Sequence, residues 1–173
     1  RDPVRLAETL REAGLPVLEV RTEPPPTDTR DRWLVKPLRG AGGNGIRVWD
    51  GSRRIRNDVY YQQFKDGESV SAVFACGGEE MMFFESSRQL VGVPWLNANR
   101  FSYCGSIHRA VISEKVVGSL SEIARLVASR FQLAGLFGID FIGTNDAAML
   151  VEVNPRYTAS MELAEFRTGF TLM

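Results

Sequence analysis

Apolar and polar positions alternate through much of this chain and shift to helical spacing in three places. Val4, Ala7, Leu10 and Ala13 share one stripe, which predicts a helix over 3–13 that ends near Gly14 and Pro16. Val116, Leu120, Ile123, Val127 and Phe131 follow Ser113, a residue suited to capping, and predict the longest helix. A short helix is expected over 159–166. Strands are expected over 15–20, 33–36, 46–49, 58–64, 69–76 and 81–85. Asp66-Gly67 and Gly77-Gly78 act as turn signals. Pro24-Pro25-Pro26 is a loop, because proline cannot donate to a ladder. Val70, Ala72 and Phe74 alternate with Ser69, Ser71 and Val73, one set for a core and one for the other face. Residues 88–110 show no clear period, apart from a strand-like Phe101-Ser102-Tyr103. Strands meandering between a few helices predict an α+β fold.

The stretch Gly138–Arg156 carries the most information. Two apolar runs flank Thr144, Asn145 and Asp146, which reads as a hairpin. Met149, Val151 and Val153 are expected to face a core, with Ile139 and Phe141 doing the same on the first strand. Glu152 and Asn154 then point the other way, with Asp140 and in line with Arg156. Pairing about Asp146 puts Asp140 opposite Glu152, where like charges repel and a cation relieves the repulsion. Carboxylates with an amide oxygen suit Mg²⁺, which also binds substrate phosphates. The competing reading is a half-exposed hairpin with polar residues facing water, and a register slip of one residue would favour it.

Composition narrows the classes. The 173 residues suffice for one good core or two small lobes, and 44% apolar with 24% charged residues is ordinary for a soluble globular protein. Lys plus Arg and Asp plus Glu each count 21, so no net charge draws the chain to nucleic acid or an anionic membrane. No apolar run reaches the length of a membrane span, and no signal peptide is expected. Cys76 and Cys104 make no disulfide framework and read as small buried hydrophobes. The expected location is the cytoplasm. The chain opens inside a helical pattern without Met and stops at Thr171-Leu172-Met173, which suggests a fragment of a longer protein.

Arg39–Gly45 reads Arg-Gly-Ala-Gly-Gly-Asn-Gly. Gly40, Gly42 and Gly45 have dinucleotide-fingerprint spacing, but the strand-like Ile46-Arg47-Val48-Trp49 follows where that motif needs a helix. A P-loop fails too, since no Gly-Lys-Ser/Thr ends the run. What remains is a flexible loop between strands, whose glycines let backbone N–H groups approach an anion. Lys36, four residues earlier, has the reach of a phosphate-binding point charge. A simple turn and a solvated lysine are the plainer readings of the same residues. Glu68 after the Asp66-Gly67 turn suits a ribose hydroxyl or plain exposure. His108, the sole histidine, is expected to be structural or solvated, and Arg100, Arg109 and Arg130 to be surface charges, with Arg109 a weaker candidate for facing substrate.

In this order these pieces resemble the ATP-grasp superfamily over nearly the whole chain. The strongest part is Gly138-Ile139-Asp140 with Leu150-Val151-Glu152-Val153-Asn154-Pro155-Arg156. Val35-Lys36-Pro37 with the glycine loop comes next, and Gln62-Gln63-Phe64 through Glu68-Ser69-Val70 is loosest. The resemblance implies two α+β lobes clasping ATP, here divided as 1–64, the small lobe with the glycine loop, and 65–173, the larger lobe with the metal-binding hairpin. It implies phosphate binding by Lys36 and by Gly40, Gly42, Gly43 and Gly45, adenine contacts at Gln62, Gln63 and Phe64, and ribose binding by Glu68. The acidic residue often found where Gln62 stands is absent, which leaves the adenine contact there to backbone. It further implies Mg²⁺ or Mn²⁺ on Asp140, Glu152 and Asn154, with Arg156 steadying the transferred phosphoryl group. An Asp-Lys pair common at the start of the family reads Arg1-Asp2-Pro3 here, so either Arg1 substitutes for the lysine or the contact is lost. The resemblance also implies an N-terminal α/β domain, expected to lie outside this fragment. Within the superfamily, 66–74, 101–107 and 154–158 look like a poorly characterised branch, similar to carbamoyl-phosphate-synthase-like and pyrrolysine-biosynthesis-type ligases and including proteins linked to tetrahydromethanopterin.

The implied activity is an ATP- and Mg²⁺-dependent carboxylate–amine ligase acting through an acyl phosphate. Its partners would be ATP, a small carboxylic acid and an amine, with no nucleic acid or membrane. A nucleotide-binding module without ligase activity and a small-molecule kinase on the same fold are the alternatives.

Overall fold

Alternate residues of the 33–37 segment divide between a small core and a cleft, and that division organises the first half of the molecule. The computed structural model of the chain describes residues 2–52, 57–78, 80–108, 110, 112–144, 147–169 and 171–172. Arg1 and Arg109 therefore lie outside the described residues, as do Asn145 and Asp146 of the expected hairpin turn.

A first antiparallel sheet contains β1 (Val20–Arg21), β2 (Trp33–Pro37), β3 (Arg47–Val48) and β4 (Val59–Gln63), in the order β1-β4-β2-β3. Trp33, Val35, Val59 and Tyr61 form a small buried cluster on one face, joined by Trp49. Leu34, Lys36, Tyr60 and Gln62 occupy the intervening positions and turn to the other face.

The second antiparallel sheet contains β5 (Glu68–Gly77), β6 (Glu80–Val91), β7 (Tyr103–His108), β8 (Gly135–Gly143) and β9 (Ala148–Asn154), in the order β7-β6-β5-β8-β9. Val70, Ala72 and Phe74 of β5 and Phe137, Ile139 and Phe141 of β8 are buried with Val116, Leu120, Ile123 and Val127 of α2 (Glu114–Phe131) in the main core. Burying each such aromatic or aliphatic side chain stabilises the fold by about 1.5–3 kcal/mol. Ser113 caps α2 by accepting from the Val116 amide at 3.3 Å. α1 (Pro3–Glu12) is capped by Asp2, which accepts from the Arg5 amide at 3.0 Å. It precedes the first sheet in sequence, yet Leu10 enters the core of the second. α3 (Ala159–Thr168) packs on the opposite face, against β5, β6 and β7. Among the described residues no helix is long and apolar enough to cross a membrane.

Several elements differ from expectation. The 15–20 strand reduces to a single parallel bridge from Val17 to Leu150 and the short β1. β6 continues to Val91 where the sequence suggested an end at Glu85, and the next strand begins at Tyr103 and runs on to His108. On β9, Ala148 and Leu150 are buried, whereas Met149 and Val151 are not, contrary to the expected inward face of Met149, Val151 and Val153. The cause is a β-bulge: Phe141 pairs with Leu150, but Asp140 pairs with Glu152, leaving Val151 as the extra residue. Only Val153, beyond the bulge, packs on the core as expected.

Candidate active site

That bulge sets the position of the carboxylates. β8 and β9 close with Gly143 opposite Ala148, a register that, continued without interruption, would bring Val151 against Asp140. The additional residue shifts the pairing by one and puts Glu152 there instead. Both acids then project from the second sheet toward the cleft face of the first.

Asp140 is held by amides and hydroxyls. Asn154 Nδ2 donates to its Oδ2 at 2.9 Å, Gln89 Nε2 donates to its Oδ1 at 3.1 Å, and the Ser71 hydroxyl also donates to it. Burial nevertheless pushes its pKa from 3.8 up to about 6, and the charge of Glu152 adds to the rise. The hydrogen bonds from Ser71 and Asn154, and the charge of Lys36, oppose it. Asn154 is itself buried, and Arg156 NH2 donates to its Oδ1 at 3.4 Å, while Arg156 NH1 donates to the Tyr157 carbonyl at 3.1 Å.

Lys36 is 7% exposed and points into the same cleft. Its Nζ donates to Gln62 Oε1 at 2.9 Å, and Gln62 Nε2 donates to the Val151 carbonyl at 3.3 Å, so the glutamine joins β4 of one sheet to the bulge of the other. Burial lowers the Lys36 pKa below its usual 10.5, and Glu152 and Asp140 pull it back up. The acids and the lysine thus compensate one another only in part.

The glycine loop crosses from the first sheet to the second. Tyr103 N donates to the Gly42 carbonyl at 3.0 Å. At Gly43, with φ +82°, an added Cβ would lie 1.7 Å from the Phe101 carbonyl oxygen, so only glycine fits the contact.

The cleft, about 400 Å³, brings together Lys36, Gly42, Gly43, Gln62, Gln63, Phe64, Asp140, Glu152, Asn154 and Arg156. An adjoining space of about 360 Å³ takes in Gly40 together with Lys36 and Glu152. Gly45 and Glu68 are not among the residues lining either space. Glu68 lies exposed at the start of β5, 3.6 Å from Arg88. Sequence reasoning missed Gln89, which fell in the stretch without a clear period, and the roles of Ser71 and Ser160. The Ser71 and Ser160 hydroxyls lie 3.1 Å apart beneath the cleft. The alternation of 69–76 had already turned Ser71 away from the core.

Among the described residues no three His, Cys, Asp or Glu side chains come together as a metal cluster, so a divalent ion here would have two carboxylates and an amide oxygen. That set fits Mg²⁺, which commonly takes one or two protein carboxylates and completes its shell with phosphate oxygens and water. The side-by-side acids supply the negative charge such an ion neutralises.

Known proteins share this fold. A family model described as an ATP-grasp domain matches residues 1–160. The chain is similar to MJ0776, an uncharacterized protein of Methanocaldococcus jannaschii, with 24% identity over 145 residues, 80% of this chain and 34% of that protein. It also resembles the biotin carboxylase domain of 2-oxoglutarate carboxylase from Hydrogenobacter thermophilus, solved with MgADP, ADP and bicarbonate. The TM-score is 0.73 at 14% identity, over 99% of this chain and 43% of that one. N5-carboxyaminoimidazole synthetase from Staphylococcus aureus, solved with ADP, gives a TM-score of 0.67 at 18% identity, over 92% and 45%. At these identities the structural likeness concerns the fold. The chain spans between about a third and a half of the length of the relatives it matches.

Proposed function

The chain belongs to the ATP-grasp family, and from that premise we propose that it is an ATP-dependent carboxylate–amine ligase domain working through an acyl phosphate. The observation that carries this reading is the register that sets Asp140 against Glu152 in one cleft with buried Lys36, beneath a glycine loop. Relatives of this fold solved with ADP, and in one case MgADP, support the choice of nucleotide.

In the proposed reaction a carboxylate oxygen of the acid attacks the γ-phosphorus, the bond to the β,γ-bridging oxygen breaks, and ADP leaves. The amine nitrogen then attacks the acyl carbon, the carbon–oxygen bond to phosphate breaks, and an amide and inorganic phosphate form as the nitrogen loses a proton. The protein contributes position and charge compensation. Lys36 and Arg156 would balance the phosphates. Asp140, Glu152 and Asn154 would hold Mg²⁺ or Mn²⁺, which when bound supplies further neutralisation of phosphate charge. The strands around Gln62, Gln63 and Phe64, proposed as the junction of lobes 1–64 and 65–173, would hold adenine. Glu68 would reach a ribose only by leaving Arg88. Gly40, Gly42, Gly43 and Gly45 belong to the loop that would cover the phosphates and keep water from the acyl phosphate.

Hydroxylamine trapping tests the reading. A ligase yields a hydroxamate from acid, ATP and Mg²⁺, whereas a kinase on this fold or a passive nucleotide-binding module yields none. Unchanged Mg²⁺ titrations in Asp140→Asn and Glu152→Gln would rule out the metal assignment.

A further inference from the structure

Gln62 lies on the cleft face of β4 and is 3% exposed. An amide in such a place costs free energy unless its oxygen and its nitrogen both find partners. Here both do. Oε1 accepts from Lys36 Nζ at 2.9 Å, and Nε2 donates to the Val151 carbonyl at 3.3 Å. The orientation of the amide follows from these neighbours. An ammonium can only donate and a carbonyl can only accept, so the oxygen faces the lysine and the nitrogen faces the strand. A glutamate in its place would set an acceptor against the Val151 carbonyl, and an apolar side chain would bond neither partner.

The partners lie on different sheets. Val151 is the extra residue of the bulge, has no partner in the β8 register, and immediately precedes Glu152 of the acid pair. Lys36 pairs with Tyr60 across β2 and β4, and Leu34 pairs with Gln62, which makes Gln62 the diagonal neighbour of Lys36 on the same face. The Lys36 ammonium also lies 5.6 Å from the centroid of the Tyr60 ring. A lysine carries its charge on a flexible stem, and Tyr60 and Gln62 flank that charge. The glutamine thus ties the cation of the first sheet to the strand that carries an acid of the second. The competing role is reading the base, since Gln62 lines the cleft with Phe64. The amide has a second lone pair and a second N–H, but at 3% exposure little of either meets open space. Turning the amide toward a base would orphan a buried ammonium or carbonyl, and such orphaning costs at least what one new hydrogen bond returns.

We propose that Gln62 is a positioning residue, which holds the Lys36 ammonium in register with the acid pair of the other sheet and does not read the nucleobase. The proposal rests on the phosphate role given to Lys36 above and not on the acyl-phosphate chemistry, so the two fail separately.

Calorimetric titration of the 173-residue chain with ATP and with inorganic tripolyphosphate, both with Mg²⁺, tests this through a double-mutant cycle of Lys36→Ala and Gln62→Met. Methionine keeps the length of the side chain and removes both hydrogen bonds. Gln62→Met is expected to weaken ATP and tripolyphosphate alike, by about tenfold, the lower end of the effect of a hydrogen bond to a charged group. In the Lys36→Ala background the same change should cost less than about twofold, because the group it positions is gone. Gln62→Asn, a methylene too short to reach both partners, should behave as Gln62→Met does, and it replaces that variant if methionine does not fold. Losses that add in the double variant, wild-type binding in Gln62→Met, or no binding of either probe would overturn the positioning role. A loss confined to ATP with tripolyphosphate untouched would also overturn it and make Gln62 a reader of the base. Wild-type binding of both probes in Lys36→Ala would do the same, since the lysine would then meet no phosphate. Hydroxylamine trapping is run alongside. A coupled cycle without a hydroxamate supports the positioning role and refutes the ligase reading. A hydroxamate with additive losses overturns the positioning role and leaves the ligase reading standing.

Discussion

Asp140→Asn should make the metal-free protein more stable at pH 8 and not at pH 4. The carboxyl is raised from 3.8 to about 6, chiefly by burial and then by Glu152. The sign follows from linkage. A carboxyl whose pKa is higher folded than unfolded binds more protons in the native state, so stability falls as pH rises. The native state keeps its full stability below the ordinary carboxylate pKa and loses part of it as pH rises toward and through about 6. A rise from 3.8 to about 6 corresponds to about 3 kcal/mol. The asparagine removes that penalty but cannot accept from Gln89, Asn154 and Ser71 as a carboxylate does, which costs about 1 kcal/mol. The net gain at pH 8 is then about 2 kcal/mol, or about 4–8 °C in melting temperature for a chain of this size. Thermal melts in EDTA at pH 4, 6 and 8, wild type against variant, measure it. Because the two proteins share every other titrating group, their difference reports Asp140 together with its coupling to Glu152 and Lys36. Adding Mg²⁺ at pH 8 should raise the wild-type melting temperature and leave that of the variant in place. A variant less stable at pH 8, or a difference independent of pH, would refute the picture of a strained acid awaiting a cation.

Three further outcomes follow from the same cleft. Lys36→Ala should weaken ATP binding about tenfold to a hundredfold, the worth of a charged hydrogen bond, when measured by calorimetric titration. Glu152→Gln should keep nucleotide binding and lose Mg²⁺-dependent turnover, so ADP release is followed beside nucleotide titration; retained turnover would remove Glu152 from the metal set. Gly43→Ala should undock the loop, since its Cβ would meet the Phe101 carbonyl at 1.7 Å in a left-handed backbone. The expected result is a raised KM for ATP together with a lower melting temperature, about 2–4 °C for each kcal/mol, since a side chain forced into a left-handed backbone costs about 1–3 kcal/mol.

Local patterns were legible where one physical force acted alone. The α2 stripe of Val116, Leu120, Ile123 and Val127 has one face to bury and one cap at Ser113, and both were readable. The alternation of Val70, Ala72 and Phe74 with Ser69 and Ser71 likewise reports a sheet with one apolar face. Residues 88–110 resisted because their structure comes from partners elsewhere. β7 is fixed by pairing with β6, and the 101–103 segment by the glycine loop, neither of which leaves a period in sequence.

The hairpin shows how an expected pairing of two acids can hold although the register expected around it does not. Expected symmetry about Asp146 paired Asp140 with Glu152 and also turned Met149 and Val151 inward. The structure keeps the first and reverses the second, because the strands begin one residue out of that register at Gly143 and Ala148 and the bulge at Val151 restores it. Ala148 and Leu150 thereby fill the core on one side of the bulge, while Glu152 and Asn154 reach the cleft on the other. The bulge carbonyl is also where Gln62 attaches after accepting from Lys36. One inserted residue therefore joins the acid pair, the lysine and the two sheets. Deleting Val151 brings Glu152 directly after Leu150 and so keeps it opposite Asp140 in an unbulged ladder, but it removes the Val151 carbonyl that accepts from Gln62 at 3.3 Å. Retained Mg²⁺-induced stabilisation with weakened ATP binding, as Lys36 and Gln62 lose their tie to the second sheet, is the expected result. A deletion variant that no longer responds to Mg²⁺ would show that the bulge itself, and not the residue count to Glu152, sets the pair.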